Sequence, residues 1–261
     1  MPQLDVPLVR GRFGATSRPD AWWVQPFVVF LCFSAFIVYA TWAALQGNNY
    51  RFGPYLSPFY SPELFGSPEA WFGAQAPGWF PPFLPFSAAI LILWAPVGFR
   101  MTCYYYRGAY YKAFWADPPN CAVGEPRKTY LGERSFPLII QNIHRYFLIF
   151  ALILIVLLAH DAWEAMWWQD GFHIGVGTLV LTMNAILLGC YTLGCHSLRH
   201  LVGGIRDVLS KSPIRKTVYD CVSCLNARHM RFAWFSLVWV GFSDAYVRMC
   251  AMGVWHDWRI F

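Results

Sequence analysis

The chain has 261 residues, of which 57% are hydrophobic and only 13% charged. Soluble domains carry about 25% charged residues, so this composition excludes an ordinary soluble enzyme and points to a membrane protein. The net charge of +6 would suit a nucleic-acid partner, but the basic residues are sorted along the chain as membrane topology requires, and no nucleic acid is expected.

Residues 1–23 form a polar arm carrying Arg10, Arg12 and Arg18. Its start lacks the apolar core of a signal peptide, so the first apolar run is expected to stay as a membrane helix. Apolar runs near the ~20 residues that span a bilayer occur at about Val24 to Leu45, Phe86 to Tyr106, Pro137 to Ala159, Phe172 to Leu193 and Met230 to Met252. Residues 46–84, between the first two, are rich in Pro, Gly and aromatics and too apolar for a disordered linker. They are expected to fold as a cap, with a short amphipathic helix around Pro68 to Phe72.

Lys and Arg separate by side. The segment after the second run has Arg107, Lys112, Arg127, Lys128 and Arg134. The segment after the fourth has Arg199, Arg206, Lys211, Arg215, Lys216, Arg228 and Arg231. The opposite loops hold only Arg51 before the tail at 253–261. The positive-inside rule then puts the N-terminus in the cytoplasm and the C-terminus outside. Trp22, Trp23, Trp163, Trp167, Trp168, Trp255 and Trp258 fall at run ends, as an interfacial belt requires. The expected fold is an all-α integral membrane protein: a five-transmembrane-helix bundle over 24–252 with a long outer loop.

This topology gathers Cys and His at the cytoplasmic side. Cys103 ends the second helix, Cys121 follows it, and His144 and Arg145 open the third. Cys195, His196 and His200 close the fourth in "GCHSLRHLVGG", and Cys221, Cys224 and His229 precede the fifth. Cytoplasmic thiols disfavour structural disulfides, so the layer reads as a metal site drawn from Cys103, Cys121, Cys195, His144, His196, His200 and His229. Cys32, Cys190 and Cys250 read as small packing groups. Thiolate with imidazole fits zinc or a mixed-ligand iron–sulfur cluster, of which two Cys and two His on [2Fe–2S] is the Rieske type. Haem b, on His144 with His196 or His200 and on His160 with His173, is the alternative. The CxxC at Cys221 and Cys224 is a single pair and a weak zinc signal.

Charged residues also lie within the runs. Arg100 sits in the second. Asp244 and Arg248, four apart in the fifth, share a helix face, and His160 with Asp161 closes the third on the outer side. Buried membrane charge is costly and faces the bundle or a polar cavity. Asp244 and Arg248 read as an ion pair or, with His160 and Asp161, as a quinone head-group site or proton route.

The segments "CYYYRGAYYKAFWADPPNCAVGEP", "FPLIIQNIHRYF", "GCHSLRHLVGG" and "LNARHMRFAWFSLVWVGFSDAYVR" resemble the membrane anchor subunit of a succinate dehydrogenase, in the actinobacterial and acidobacterial class with one five-helix anchor polypeptide. The resemblance runs from Phe86 to Trp258. It implies a bacterial plasma-membrane complex with an FAD-holding flavoprotein and an iron–sulfur subunit, in contact with lipid and quinone and open to higher oligomers. The anchor would pass electrons to menaquinone through a haem-free, Rieske-like [2Fe–2S] centre and would not itself oxidise succinate, so no catalytic residue is assigned. Tyr104, Tyr106, Arg107, Arg145 and Trp234, at the depth of that centre, are the expected quinone-binding residues. A dihaem cytochrome b anchor and a zinc-binding scaffold or transporter are the competing readings.

Overall fold

A computed structural model of the chain describes residues 12–81, 83, 86–116, 118–126, 135–136, 138–204 and 207–261. The arm up to residue 11, and with it Arg10, lies outside the described residues, as do Arg127, Lys128, Arg134, Pro137 and Arg206. Helices dominate: α1 (Val24–Gln46), α2 (Ala88–Met101), α3 (Tyr104–Phe114), α4 (His144–Glu164), α5 (Val176–Leu193), α6 (His196–Gly203), α7 (Pro213–Asn226) and α8 (His229–Ala251). Two short antiparallel hairpins complete the set: β1 (Arg51–Phe52) with β2 (Tyr55–Leu56), and β3 (Trp167–Trp168) with β4 (Gly171–Phe172).

The chain divides into two compact units, residues 1–35 with 102–142 and residues 36–101 with 143–261. In the first unit the polar arm is held by backbone pairing. The Gly14 N–H donates to the Gly124 carbonyl at 3.0 Å and the Gly124 N–H to the Ala15 carbonyl at 2.8 Å. Arg18 donates to the Asn120 side chain and the Cys121 carbonyl, while Asn120 donates to the Trp22 carbonyl. Phe30 and Phe33 of α1 pack on Phe114 of α3, and Phe33 meets the buried Tyr106 edge-on at 5.5 Å.

The second unit is the helical bundle. α5 packs against both α4 and α8, and α2 against α4. Gly98 of α2 makes the last contact close: a Cβ there would stand 2.2 Å from the Phe147 ring. The loop end of this bundle is sealed by described residues of the segment between α1 and α2. Gly53 turns the first hairpin with φ +54 and lies under the Trp168 ring, so a side chain is excluded by backbone and by space. Tyr55, Ser57, Tyr60 and Ser61 are buried. The Tyr60 hydroxyl donates to the Ala43 carbonyl at 2.8 Å, and its ring stacks on Tyr50 at 4.1 Å. The C-terminal tail closes the same end. Ile174 exchanges backbone hydrogen bonds with Ile260 and Phe261, and Asp257 accepts from the Tyr55 and Tyr246 hydroxyls and the Gly177 N–H.

Within this segment residues 68–72 form a turn and not the expected helix. The expected second run is also interrupted: α2 stops at Met101 and α3 starts anew at Tyr104. In the third expected run the α-helix, α4, starts only at His144, after a 3₁₀ turn over Leu138–Ile143. In the fourth expected run the α-helix, α5, starts at Val176, because the second hairpin and the extended Gly175 precede it. Among the described residues three helices are long and apolar enough to cross a membrane, Val24–Gln46, Ile139–Glu164 and Val176–Leu193. A fourth span results if the broken pair Ala88–Met101 and Tyr104–Trp115 counts as one. α8 has 23 residues, about 34 Å at 1.5 Å per residue, but carries Arg231, Asp244 and Arg248.

Candidate functional site

Two of the long apolar segments stop at a cysteine. Cys103 has extended backbone, φ −67 and ψ 132, and is the N-cap of α3. Cys195 has φ −64 and ψ 139 and is the N-cap of α6. Each thiol therefore stands at the start of a short helix, where the backbone dipole favours negative charge. Both are buried. At the second break Gly194 allows the end of α7 to come close, since a Cβ would lie 3.2 Å from Leu225 backbone, and the Asn226 amide donates to the Gly194 carbonyl at 2.8 Å.

Around Cys195 the bundle assembles a buried array of rings. The His144 Nε2 lies 3.1 Å from the Cys195 Sγ. The His144 ring stacks on Phe99 at 4.5 Å and 13°. Phe99 meets Tyr191 edge-on at 5.5 Å, and Tyr191 stacks on His229 at 4.9 Å and 17°. The Arg100 guanidinium sits 4.8 Å over the Tyr191 ring and donates to the Ala233 carbonyl and the Ser236 hydroxyl. Helices α2, α4, α5 and α8 thus each contribute a ring, and His144 and His229 are the first residues of their helices. A thiol and two imidazoles held dry at one end of a bundle are donors suited to a soft or borderline metal. Among the described residues, however, no group of three or more His, Cys, Asp and Glu side chains is arranged to hold a metal ion.

Burial divides the seven expected ligands. Cys103, Cys195, His144 and His229 are buried. Cys121 is exposed at the turn fastened by Arg18. His196 and His200 are exposed on α6 and face each other, Nε2 to Nε2 at 3.0 Å. Partial desolvation, then His200 and Arg199, hold the His196 imidazole below its ordinary value. Cys195 and His196 are neighbours in sequence, and the helix break sends one inward and the other out. Cys221 and Cys224 are exposed on α7.

The expected quinone residues fall in both units. In the first, Arg107 lies 4.4 Å over the exposed Tyr104 ring and donates to the Gln141 side chain at 2.8 Å, while Tyr106 is buried against Phe33. In the second, Arg145 lies over Tyr146 at 5.6 Å, and Trp234 lines an open surface hollow with Arg228 and Arg231. Phe99 and Tyr191 were not foreseen. Both are lone aromatics in apolar runs, which carry no signal beyond packing.

A cavity of about 120 Å³ runs through the bundle from this array to the loop end. Ile92, Leu93, Val97, Leu154, Ile155 and Leu188 line its length; Arg100, Tyr191 and Thr192 border one end and Ser61 the other. Ser61 hydrogen-bonds Asp161. Asp161 in turn opens on a polar hollow of about 250 Å³ with His160, Glu164, Glu63 and Arg51. Asp244 and Arg248 belong to a different network, in which Asp244 accepts from Tyr39 at 2.6 Å and from Ser57, and Arg248 donates to the Ala43 carbonyl in the last turn of α1 and to the Asn48 carbonyl just beyond it.

Residues 24–253 match the family described as actinobacterial succinate dehydrogenase subunit SdhC. A solved structure of the Mycobacterium smegmatis Sdh1 complex in the apo form contains a chain 43% identical to this one, with a TM-score of 0.86 and 94% of each chain covered. No curated protein sequence matches.

Proposed function

Since the chain belongs to the actinobacterial SdhC family of succinate dehydrogenase membrane subunits, we propose that it anchors the enzyme and passes its electrons to membrane quinone, namely menaquinone. Its partners are an FAD flavoprotein subunit, which oxidises succinate, and an iron–sulfur subunit. In this reading five helices cross the plasma membrane, α2 with α3 forming one crossing and α8 another. The N-terminal arm is cytoplasmic and the tail at 253–261 is outside, as the sorting of Lys and Arg supports.

The observation that carries the electron-transfer role is the buried contact between His144 and Cys195, with His229 on the same run of rings. These donors suit a Rieske-like [2Fe–2S] centre, which when bound would relay single electrons between the iron–sulfur subunit and quinone. Such a centre takes two thiols, and the second is drawn from Cys103 and Cys121, of which Cys103 is buried. The chain's own residues supply a dry setting and fix both imidazoles by stacking. Tyr104, Tyr106, Arg107, Arg145 and Trp234 are the quinone-facing groups. Arg and Tyr donate hydrogen bonds to quinone oxygens, and these strengthen as negative charge develops on reduction. His160 and Asp161, beside Ser61, are the groups retained for a proton route.

EPR of the reduced intact complex tests the reading. A Rieske-like signal should be present, vanish in His144→Ala and in Cys195→Ser, and persist in His196→Ala. The soluble subunits should still reduce an artificial acceptor in all three. Loss in Cys103→Ser but not Cys121→Ser identifies the second thiol. A wild-type complex without the signal, or His144→Ala and Cys195→Ser variants that keep it at full intensity, would sink the proposal.

A further inference from the structure

We infer that the apolar cavity through the bundle holds the first isoprenyl units of the quinone's tail, so that its lining favours a tailed acceptor over a tailless one; the inference rests on the quinone-reducing reading above. Eight residues of α2 separate Ile92 from Arg100 along the cavity wall, a length of about 12 Å at 1.5 Å per residue. That is the shape of a chain and not of a head group. The wall between its ends is hydrocarbon, contributed by Leu93, Val97, Leu154, Ile155 and Leu188. An apolar cavity of this kind stays dry and accepts apolar ligands. A quinone ring placed midway would leave its carbonyl oxygens without donors, which is costly in a dry site, whereas a branched hydrocarbon has nothing to satisfy.

Small side chains keep the passage open. Ala40 and Ala151 face it, and Pro96 of α2 lines it as well. Its inner end is what distinguishes a quinone tail from a lipid acyl chain. Phe99, Arg100 and Tyr191 border the cavity and at the same time form the ring array on which His144 and His229 stack. A molecule with its tail in the cavity has its other end beside the proposed redox centre. Quinone is the apolar ligand whose head group must be there.

The test uses the whole complex in nanodiscs, with Ala151→Leu as the filling variant, Leu188→Phe as an independent one, and Ala151→Val as a milder step in case the larger side chain prevents assembly. Three acceptors are compared: a soluble dye, a quinone without a tail, and one with a long polyisoprenyl tail. Filling the cavity should raise the KM for the long-tailed quinone about fivefold, as expected for the loss of one or two buried methylene contacts. The tailless quinone and the dye should react as in wild type. The quinone that copurifies, extracted and counted per complex, should fall in step. Equal effects on both quinones, or none on either, would overturn the inference. So would loss of copurifying phospholipid with quinone content unchanged, which would assign the cavity to lipid. A wild-type complex that reduces the dye but neither quinone would instead refute the proposed function.

Discussion

Arg248 is 1% exposed and Asp244 is fully buried, yet both are fully engaged. Arg248 bonds Asp244 at 3.4 Å, donates to the Asn48 and Ala43 carbonyls at 2.9 and 3.2 Å, and lies over the Trp42 ring at 5.2 Å. It thereby supplies the donors that the end of α1 lacks within its own helix. This geometry favours an ion pair that locks α1 to α8 over a path for protons. Arg248→Met should lower stability by about 3–5 kcal/mol, the cost of leaving a buried charge without its partner, read as a drop in Tm of the solubilised complex. Adding Asp244→Asn should restore part of the loss. Wild-type melting of Arg248→Met would show that the pair holds nothing. The four-residue spacing of Asp244 and Arg248 was legible in the sequence. The other partners were not, because a backbone carbonyl leaves no mark on the residue that carries it.

At the scale of elements, the approach of α2 to α4 depends on Gly98 having no side chain over Phe147. Gly98→Ala should force the two helices apart or the Phe147 ring out of its rotamer, at a cost of about 1–3 kcal/mol. Phe147→Leu in the same chain should recover much of that in thermal unfolding, since it removes the atoms in conflict. Additive losses in the double variant would count against this contact. The helix breaks were less legible than the helices. Gly194 marks the second break, next to the cysteine and histidines that drew attention to it. The first break, at Thr102 and Cys103, contains neither Gly nor Pro and lies inside a continuous apolar and aromatic run. Hydropathy therefore reads straight across it. The inward Cys195 and the outward His196 follow from the second break, so spacing alone could not divide them.

For the molecule as a whole, hydropathy foresaw a helical membrane chain, of which three helices among the described residues are long and apolar enough to span, or four if the broken pair counts as one. It did not foresee that the C-terminal tail would pair with the segment before α5. Arg259 bridges Gly175 and bonds Asp170 at 2.7 Å. The hydrogen bond from Arg259 holds the Asp170 carboxyl below its ordinary range, an ordinary value of about 3.9. A depressed folded-state value means that the contribution is present above about pH 4 and is lost as the pH falls further, through the folded value. Pepsin should therefore cleave the tail of the nanodisc-embedded complex more readily at pH 2 than at pH 4, and in Asp170→Asn it should cleave it readily at both. A tail equally resistant in both proteins at both values would show that the other backbone pairs suffice.

Asp257 accepts hydrogen bonds from Tyr55, Tyr246 and the Gly177 N–H, three groups that lie before it in the chain. During synthesis each of them is therefore made before the carboxylate that completes them. The loop end of the bundle cannot close in the order in which it is written. A chain truncated just after α8 would leave Tyr55, Tyr246 and the Gly177 N–H without the carboxylate they share.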